Sequence, residues 1–392
     1  MSSTPLNRPL RLVDTPEAAR AFADEFLPDI EGRTIGLDVE EDRMVHYAPR
    51  IALLQVTIDE VDVLLDPLRL EHEVLSPIVE ALCIRAGAIL MHGAQNDVTG
   101  LKRDFGVGPD ALRDTQIAAR FAGQTRFGLA GLLESEFGIS LDKEQRMSDW
   151  TARPLSNDQI RYARRDTVWL ADLWERLEEG VRARGFEDAV AEENEALAEL
   201  PVNDPGFDPS GWRSQKGLRG QRLEPLMERR AAALWALRDE VARTHDRHPT
   251  RTLPPWLLAE LVRRGPRMMD GQRRNKALRA FVGLVGDDAL RQLLTDPPPF
   301  EAGDVPERRG GRGRPPWHRS PHFDRRVQAL LAWRDEEAER TGIEAGFLAP
   351  RALLEQLAEV DAPEHDVLAA IPDVRRWRLR RYADAWLGLL RT

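Results

Sequence analysis

Two carboxylates one residue apart end an apolar run in the sequence Ile35-Gly36-Leu37-Asp38-Val39-Glu40. Side chains alternate between the two faces of a β-strand, so Asp38 and Glu40 are predicted to point the same way. Like charges repel each other, and burying them unpaired costs free energy. A divalent cation relieves both penalties, because hard cations prefer carboxylate oxygens. A lone Asp-x-Glu pair is more often an exposed strand end, so its chemistry depends on which other groups join it.

Two later segments carry further candidate groups. Asp97 falls in the first turn of a predicted helix, after an apolar run at 88–91 and a small-residue turn. The carboxyl end of a strand is where α/β folds usually place ligands, although the helix dipole alone also favours an acid at a helix N-terminus. Tyr162 and Asp166 stand four residues apart in another predicted helix, and therefore on one helical face. By itself that pair is also compatible with a simple surface contact.

Four acids from three separated segments are the ligand set that a two-metal phosphodiester hydrolase uses. Two ions about 4 Å apart stabilise both the attacking and the leaving oxygen of an in-line displacement. Carboxylates and water suit Mg²⁺ or Mn²⁺, whereas zinc prefers His and Cys. The order and context of these segments therefore predict a metal site built from four residues: Asp38, Glu40, Asp97 and Asp166.

The elements that position these residues are predicted from periodicity and turn signals. Strands are expected at 34–39, 50–57, 61–65 and 88–91, the second and third joined as a hairpin. Helices are expected at 15–27, 71–83, 96–105, 114–122, 127–137 and 156–184, the last opened by a capping box at Ser156. This order predicts an α/β domain with a mixed sheet and flanking helices. Residues 211–295 and 323–390 are predicted to be entirely helical.

The composition is that of an ordinary globular protein. The chain has 392 residues, of which 42% are hydrophobic and 31% charged. No apolar run approaches the ~20 residues that span a bilayer, and the N-terminus lacks the pattern of a signal peptide. The single cysteine, Cys83, excludes an internal disulfide and a cysteine-based zinc cluster, and it is expected in the core. A cytoplasmic protein without a membrane partner is expected.

In this order and context, the candidate residues resemble the DEDD exonucleases of the tyrosine-containing subclass, and among them the ribonuclease D family. The wider likeness lies in Tyr47-Ala48-Pro49-Arg50-Ile51-Ala52-Leu53-Leu54-Gln55, His92-Gly93-Ala94-Gln95-Asn96-Asp97, Asp114-Thr115-Gln116-Ile117-Ala118-Ala119, Leu141-Asp142-Lys143, Ser148-Asp149-Trp150-Thr151-Ala152-Arg153-Pro154-Leu155-Ser156 and Tyr162-Ala163-Arg164-Arg165-Asp166. It is strong over residues 30–180. Residues 211–295 are similar to the helical HRDC domain that is shared by RecQ-type helicases and ribonuclease D. Residues 323–390 resemble the second, divergent copy of this domain that ribonuclease D carries.

The resemblance implies four consecutive regions. They are a ribonuclease H-like 3′→5′ exonuclease domain in 1–200, an HRDC domain in 211–295, a flexible Pro-, Gly- and Arg-rich linker in 296–322 and a divergent HRDC-like helical domain in 323–392.

The same resemblance implies a metal-dependent 3′→5′ exoribonuclease that releases 5′-mononucleotides. Asp38, Glu40, Asp97 and Asp166 would hold two divalent ions, Mg²⁺ or Mn²⁺, and Tyr162 would orient the attacking water. The implied partner is RNA with a single-stranded 3′ end, typically a tRNA precursor. A monomer is expected.

Charge is distributed unevenly, and this predicts where RNA is held. Net charge is −16 in residues 1–200, +8 in 201–320 and −2 in 321–392. A basic region can track a phosphate backbone, and the residues predicted to contact RNA there are Arg273, Arg274 and Lys276. The tryptophans of this region are predicted to pack in its core: Trp212, Trp235 and Trp256.

Two residues next to the first acids depart from the family pattern, which has a threonine and then an aromatic residue where this chain has Val39 and Glu41. The aromatic is expected to seat the terminal nucleotide by stacking, whereas Glu41 is expected to repel a phosphate. Two alternatives stay open. One is the same chemistry on single-stranded DNA, since nothing in the sequence reads a 2′-hydroxyl. The other is a nucleic-acid-binding scaffold with a vestigial nuclease site.

Overall fold

The computed structural model describes residues 8–42, 44–140, 148–202, 207–299 and 321–391, with the backbone alone at 271–274 and 321. Most of the predicted linker at 296–322 and the motif Leu141-Asp142-Lys143 therefore lie outside the described residues. The chain divides into two compact units. The first consists of Met1–Glu41, Ile51–Val202 and Gly311–Thr392, and the second of Asp42–Arg50 and Asn203–Gly310.

A six-stranded mixed sheet forms the centre of the first unit. Its strands are β1 (Leu10–Val13), β2 (Thr34–Asp42), β3 (Arg50–Ile58), β4 (Val61–Leu65), β5 (Ala88–Met91) and β6 (Leu112–Asp114). Their order across the sheet is β1-β4-β3-β2-β5-β6. The pairs β1/β4, β2/β5 and β5/β6 run parallel, and β3/β4 runs antiparallel as the predicted hairpin.

The described part of this unit also contains thirteen α-helices, eight in its N-terminal region and five in its C-terminal region. Those of the N-terminal region are α1 (Pro16–Phe26), α2 (His72–Arg85), α3 (Gln95–Phe105), α4 (Thr115–Phe121), α5 (Leu129–Phe137), α6 (Asn157–Thr167), α7 (Leu170–Ala183) and α8 (Glu187–Ala198). The second unit contains α9 (Pro225–Thr244), α10 (Pro249–Thr252), α11 (Pro255–Arg264), α12 (Lys276–Val285) and α13 (Asp287–Thr295). The C-terminal region, again in the first unit, contains α14 (Pro321–Thr341), α15 (Ala345–Leu348), α16 (Arg351–Ala358), α17 (His365–Ala369) and α18 (Arg376–Leu390). The predicted fold class, a mixed sheet with flanking helices followed by helical regions, is confirmed.

The prediction of a single helix at 156–184 is wrong. The structure has two helices there, α6 and α7, with Val168 and Trp169 between them. The hydroxyl of Thr167 hydrogen-bonds that of Thr57 on β3 at 2.7 Å, so the end of α6 is tied to the sheet and the chain turns before α7 begins. The sequence prediction also missed three elements. Two are the strands β1 and β6, which are only four and three residues long, and the third is the helix α8.

Apolar side chains pack on both sides of the sheet. One core joins β2–β5 to α1, α2 and α3, and Cys83 lies in it, as predicted, with 1% of its surface exposed. The other core joins α4, α5, α7 and α8 to the C-terminal helices. In it the ring of Trp377 meets Phe121 edge-on at 5.3 Å, and its indole N–H donates to Glu193 Oε1 at 2.8 Å. The C-terminal helical region thus shares a core with the α/β region.

The second unit has a core of its own, built from α9, α11, α12 and α13. Residues 42–50, which connect β2 to β3, belong to this unit through polar contacts. Tyr47 Oη donates to Asp239 at 2.7 Å, and Arg50 donates to Asp246 at 2.7 Å.

The prediction that all three tryptophans of the basic region lie in this core is wrong for one of them. Trp212 is buried and Trp235 is half-buried against the core, but 53% of the surface of Trp256 is exposed. Trp256 is the second residue of α11, and the core side of that helix is filled by the leucines and alanine that follow it.

The two helical regions repeat one order of elements. Each begins with a helix of 20 or 21 residues, continues with a four-residue helix and then has a helix whose N-cap is proline, Pro254 or Pro350. Among the described residues, no helix combines the length and apolar character that crossing a bilayer requires.

Replacement of Trp377 by alanine tests the shared core of the first unit. Trp377 is fully buried, so the truncation leaves a cavity, and the free energy of unfolding should fall by about 3–5 kcal/mol. Denaturant unfolding followed by circular dichroism measures the change. Val367→Ala is the matched control, because Val367 is 42% exposed in the same region and its truncation should change stability by less than about 0.5 kcal/mol. Equal unfolding curves for the two variants would contradict this packing.

Candidate active site

Strand β2 presents Asp38 and Glu40 on one face of the sheet. Leu37 and Val39, which alternate with them, are buried in the core on the other face. Asp38 and Glu40 are half-buried. The predicted common direction of the two acids is therefore explained by the burial of their apolar neighbours.

Helix α6 supplies Tyr162 and Asp166. It begins with the predicted capping box, in which the Ser156 hydroxyl accepts from the Gln159 N–H and the Gln159 side chain accepts from the Ser156 N–H. Asp38, Glu40 and Asp166 each offer a carboxylate oxygen, and these oxygens all lie within 4.8 Å of one another. Two elements far apart in sequence thus bring three of the four predicted acids together.

A close approach between α6 and β2 makes this convergence possible. Gly36 lies two residues before Asp38, and a Cβ built on it would be 2.8 Å from the carbonyl oxygen of Thr167. Thr167 follows Asp166 directly. Any side chain at position 36 would push the end of α6 away from the strand, and Asp166 with it.

The fourth predicted acid, Asp97, lies in the first turn of α3 and is 8% exposed. It is outside the group of three oxygens that lie within 4.8 Å of one another. The prediction of its helical position is confirmed, and its part in a metal site stays a prediction.

A buried carboxylate, Asp114, shapes the turn that leads to Asp97. Its oxygens accept from the backbone N–H groups of Gly93 and Ala94, at 3.0 and 2.7 Å, just before α3. They also accept from Gln116 and Ile117, at 2.7 and 3.2 Å, and so cap α4. One side chain therefore fixes the N-terminal ends of two helices.

His92, which precedes this turn, is half-buried and is hydrogen-bonded through one of its two ring nitrogens. Its Nδ1 lies 2.8 Å from the hydroxyl of Thr115. Burial lowers the pKa of His92, an effect that the charge of Asp114 opposes.

The loop that precedes α6 packs against the ring of Tyr162. The ring of Trp150, 3% exposed, lies 5.9 Å from the ring of Tyr162. Arg153 anchors this loop by donating to Asp66 Oδ1 at 2.8 Å and to the carbonyl oxygen of Ala52 at 2.7 Å. The side chain of Tyr162 is thereby packed against a fixed surface.

Glu41 does not act as the sequence led us to expect. It follows Glu40 in β2 and so points to the opposite face, where its side chain is 8% exposed and its carboxylate lies 3.1 Å from Arg103 of α3. Burial lowers the pKa of Arg103, but the hydrogen bonds and charges of Asp104 and Glu41 outweigh it and raise that pKa. The expectation that Glu41 repels a phosphate is not supported, because its charge is buried and paired.

Of the three residues predicted to contact RNA, the structure describes one side chain. Lys276 is exposed at the first position of α12 in the second unit. The side chains of Arg273 and Arg274 lie outside the described residues.

Sequence reasoning assigned no role to three residues that organise the site: Gly36, Asp114 and Arg153. Asp114 carries a usable signal, since it is an acid at the start of the helix predicted at 114–122, where an N-cap is expected. Arg153 and Gly36 carry no such signal, because the groups that they contact are distant in sequence.

Three acids converging on one point fit a divalent cation. Residues 10–182 match a family described as 3′-5′ exonuclease, and residues 323–390 match the HRDC domain. Ribonuclease D of Xanthomonas oryzae pv. oryzae is 30% identical over 357 residues, which are 90% of this chain and 91% of that protein. The chain belongs to the ribonuclease D family.

Other relatives of the ribonuclease D family extend this finding. Ribonuclease D of Acidiphilium cryptum is 28% identical over 382 residues, 96% of this chain and 92% of that protein. The crystal structure of Escherichia coli RNase D has the same fold, with a TM-score of 0.63 at 23% identity over 97% of this chain and 98% of that one. The chain is a hydrolase, a 3′→5′ exoribonuclease.

Gly36→Ala tests whether the contact between α6 and β2 sets the site. The added methyl group cannot fit against Thr167, so Asp166 should move away from Asp38 and Glu40. Displacements of about 1 Å cost up to ~10²-fold in rate, so hydrolysis of a 3′-labelled RNA should slow by about 10- to 100-fold.

The control for this variant is Gly32→Ala, since a Cβ at Gly32 meets nothing within 4 Å. A Gly36→Ala protein that hydrolyses RNA as fast as Gly32→Ala would show that the close approach does not matter.

Proposed function

We propose that this chain removes nucleotides one at a time from the 3′ end of RNA by two-metal hydrolysis. Asp38, Glu40, Asp97 and Asp166 are the ligands of two divalent cations, and Tyr162 orients the attacking water. The observation that carries the proposal is the convergence of the oxygens of Asp38, Glu40 and Asp166 within 4.8 Å.

The donor set favours Mg²⁺ or Mn²⁺. All of the proposed ligands are carboxylates, which are hard oxygen donors. When bound, such ions stabilise the negative charge that builds up on the attacking and leaving oxygens. Strand β2 and helix α6 are rigid elements, so they hold these donors in place without the cost of ordering them during the reaction.

Tyr162 is suited to positioning water. A tyrosine side chain, with a reference pKa of ~10, is better suited to positioning water through a hydrogen bond than to deprotonating it at neutral pH. In the hydrolysis the water oxygen bonds to the terminal phosphorus, the bond from that phosphorus to the preceding 3′ oxygen breaks, and that oxygen takes up a proton. The products are a 5′-mononucleotide and an RNA one residue shorter.

The natural substrate proposed is a tRNA precursor with extra 3′ nucleotides, bound by a monomer in the cytoplasm. Two HRDC-type domains, at 211–295 and 323–392, are proposed to follow the exonuclease domain at 1–200, separated by the linker at 296–322. The repeated order of helices in the two regions supports the first of these domains.

Asp166→Asn tests the ligand set. Loss of one carboxylate should lower the rate with Mg²⁺ or Mn²⁺ by at least about 10²-fold, because metal stabilisation contributes several kcal/mol to the transition state. The substrates are one single-stranded RNA labelled at either end and a tRNA precursor with its mature counterpart. The proposal expects early release of the 3′ label and a descending ladder from the 5′ label.

Asp158→Asn is the matched control, since Asp158 is an exposed acid of the same helix that pairs with Arg161. Wild-type protein that binds RNA and leaves both labels intact with either metal would support the scaffold alternative instead. Faster degradation of a DNA strand of the same sequence in competition would support the DNA alternative.

Tyr162→Phe tests the role of the hydroxyl separately. The ring keeps its packing against Trp150, so the fold and the KM for RNA should change little. Loss of the hydrogen bond to water should lower kcat by about 10- to 100-fold. An unchanged kcat at saturating RNA would exclude Tyr162 from the chemical step.

A further inference from the structure

Trp256 is placed where the fold does not need it. The neighbouring residues of α11, Leu257 and Leu258, are fully buried, and their counterparts in the repeated C-terminal region, Leu353 and Leu354, are buried as well. The position that corresponds to Trp256 is the exposed Ala352. The same arrangement of helices therefore forms with a methyl group at this point, so packing does not account for the indole.

An open cleft of about 570 Å³ lies beside this indole. Trp256, Asn275, Lys276, Ala277 and Ala280 line it. It is open to solvent over most of its extent, so it is a shallow surface cleft and not an enclosed pocket. None of these five lining residues is acidic, and Lys276 adds a positive charge at the start of α12.

The side chains offer complementary chemistry within one small site. The indole is a broad flat surface, about half of it exposed, and the other lining residues include two with small side chains, Ala277 and Ala280. Asn275 is engaged in the fold, since its side chain caps α12 by accepting from Leu278 N–H at 3.1 Å. The ligand groups that this site can hold are therefore an aromatic ring on Trp256 and an anion on Lys276.

We propose that this cleft is a nucleotide-binding subsite for single-stranded RNA, in which a base stacks on Trp256 and its phosphate pairs with Lys276. Base–aromatic stacking tolerates any sequence, which suits an enzyme that degrades successive nucleotides. The net charge of +8 in residues 201–320 supports an anionic occupant. The inference rests on the proposed function, because RNA is the substrate that it assigns to this subsite.

A protein partner fits the cleft less well. Stable protein interfaces use about 20–30 residues on each side, whereas five residues line this cleft. The exposed face of Trp256 and the positive charge of Lys276 match the base and the phosphate of a nucleotide.

The test measures affinity for a single-stranded RNA in the full chain carrying Asp166→Asn, so that the RNA is not degraded. Stacking contributes about 1–3 kcal/mol per base, so Trp256→Ala should weaken binding by about 5- to 150-fold. Trp256→Phe retains an aromatic face and should recover most of the affinity. Lys276→Gln should weaken binding and reduce the slope of log K against log salt by about 0.7.

Leu226→Ala is the matched control, because Leu226 is 40% exposed in the same unit and does not line the cleft. A second RNA with abasic residues separates stacking from other effects. The protein that retains Trp256 should bind the abasic RNA more weakly than the complete RNA. The Trp256→Ala protein should bind the two RNAs with about equal affinity.

Two results would overturn the subsite. One is unchanged RNA affinity in Trp256→Ala. This result would overturn the subsite even if light scattering showed that the variant loses self-association, because the indole would then serve contacts between copies of the chain and not RNA. The other is an equal loss of affinity for the complete and the abasic RNA.

Kinetics with Asp166 intact separate the two proposals. The subsite predicts that Trp256→Ala raises the KM and leaves kcat unchanged. If wild-type protein and Trp256→Ala degrade RNA with the same KM, the subsite is disproved and the proposed function is not. Wild-type protein that degrades no RNA disproves the proposed function.

Discussion

The contact between Gly36 and Thr167 is the constraint on which the active site depends. A helix carrying Asp166 can lie next to the strand carrying Asp38 and Glu40 only if the strand presents no side chain at that point. The hydrogen bond between Thr167 and Thr57 holds the end of the helix there. Three carboxylates come together as a result, in an arrangement that offers three hard oxygen donors to one cation.

Buried polar side chains hold the surrounding elements in position. Asp114 joins the starts of α3 and α4, Arg153 ties the loop behind Tyr162 to the sheet, and Arg103 pairs with Glu41. In a low-dielectric interior such groups stabilise the fold only when their partners are in place. They therefore favour one geometry of the site over the alternatives that apolar packing alone would tolerate.

The helical regions show how one arrangement serves two surroundings. Both place a pair of leucines after a proline N-cap and bury them. The C-terminal region shares its core with the α/β region through Trp377, whereas the region around α11 has its own core and exposes Trp256. Similar cores thus support different surfaces, because exposed positions are free to change without loss of packing.

The sequence alone determined the fold class, the family and the identity of the candidate acids. Alternation in β2 and the i, i+4 spacing in α6 are local regularities, so Asp38 with Glu40 and Tyr162 with Asp166 could be placed on common faces before any tertiary structure was known. Local signals also marked the capping box at Ser156 and the turn before Asp97.

Only the tertiary structure decided which groups meet across the chain. It broke the predicted helix at 156–184 into two, paired Glu41 with Arg103 and exposed Trp256. Each of these outcomes depends on contacts between residues far apart in sequence. Periodicity reports the face on which a side chain lies, but not what, if anything, covers that face.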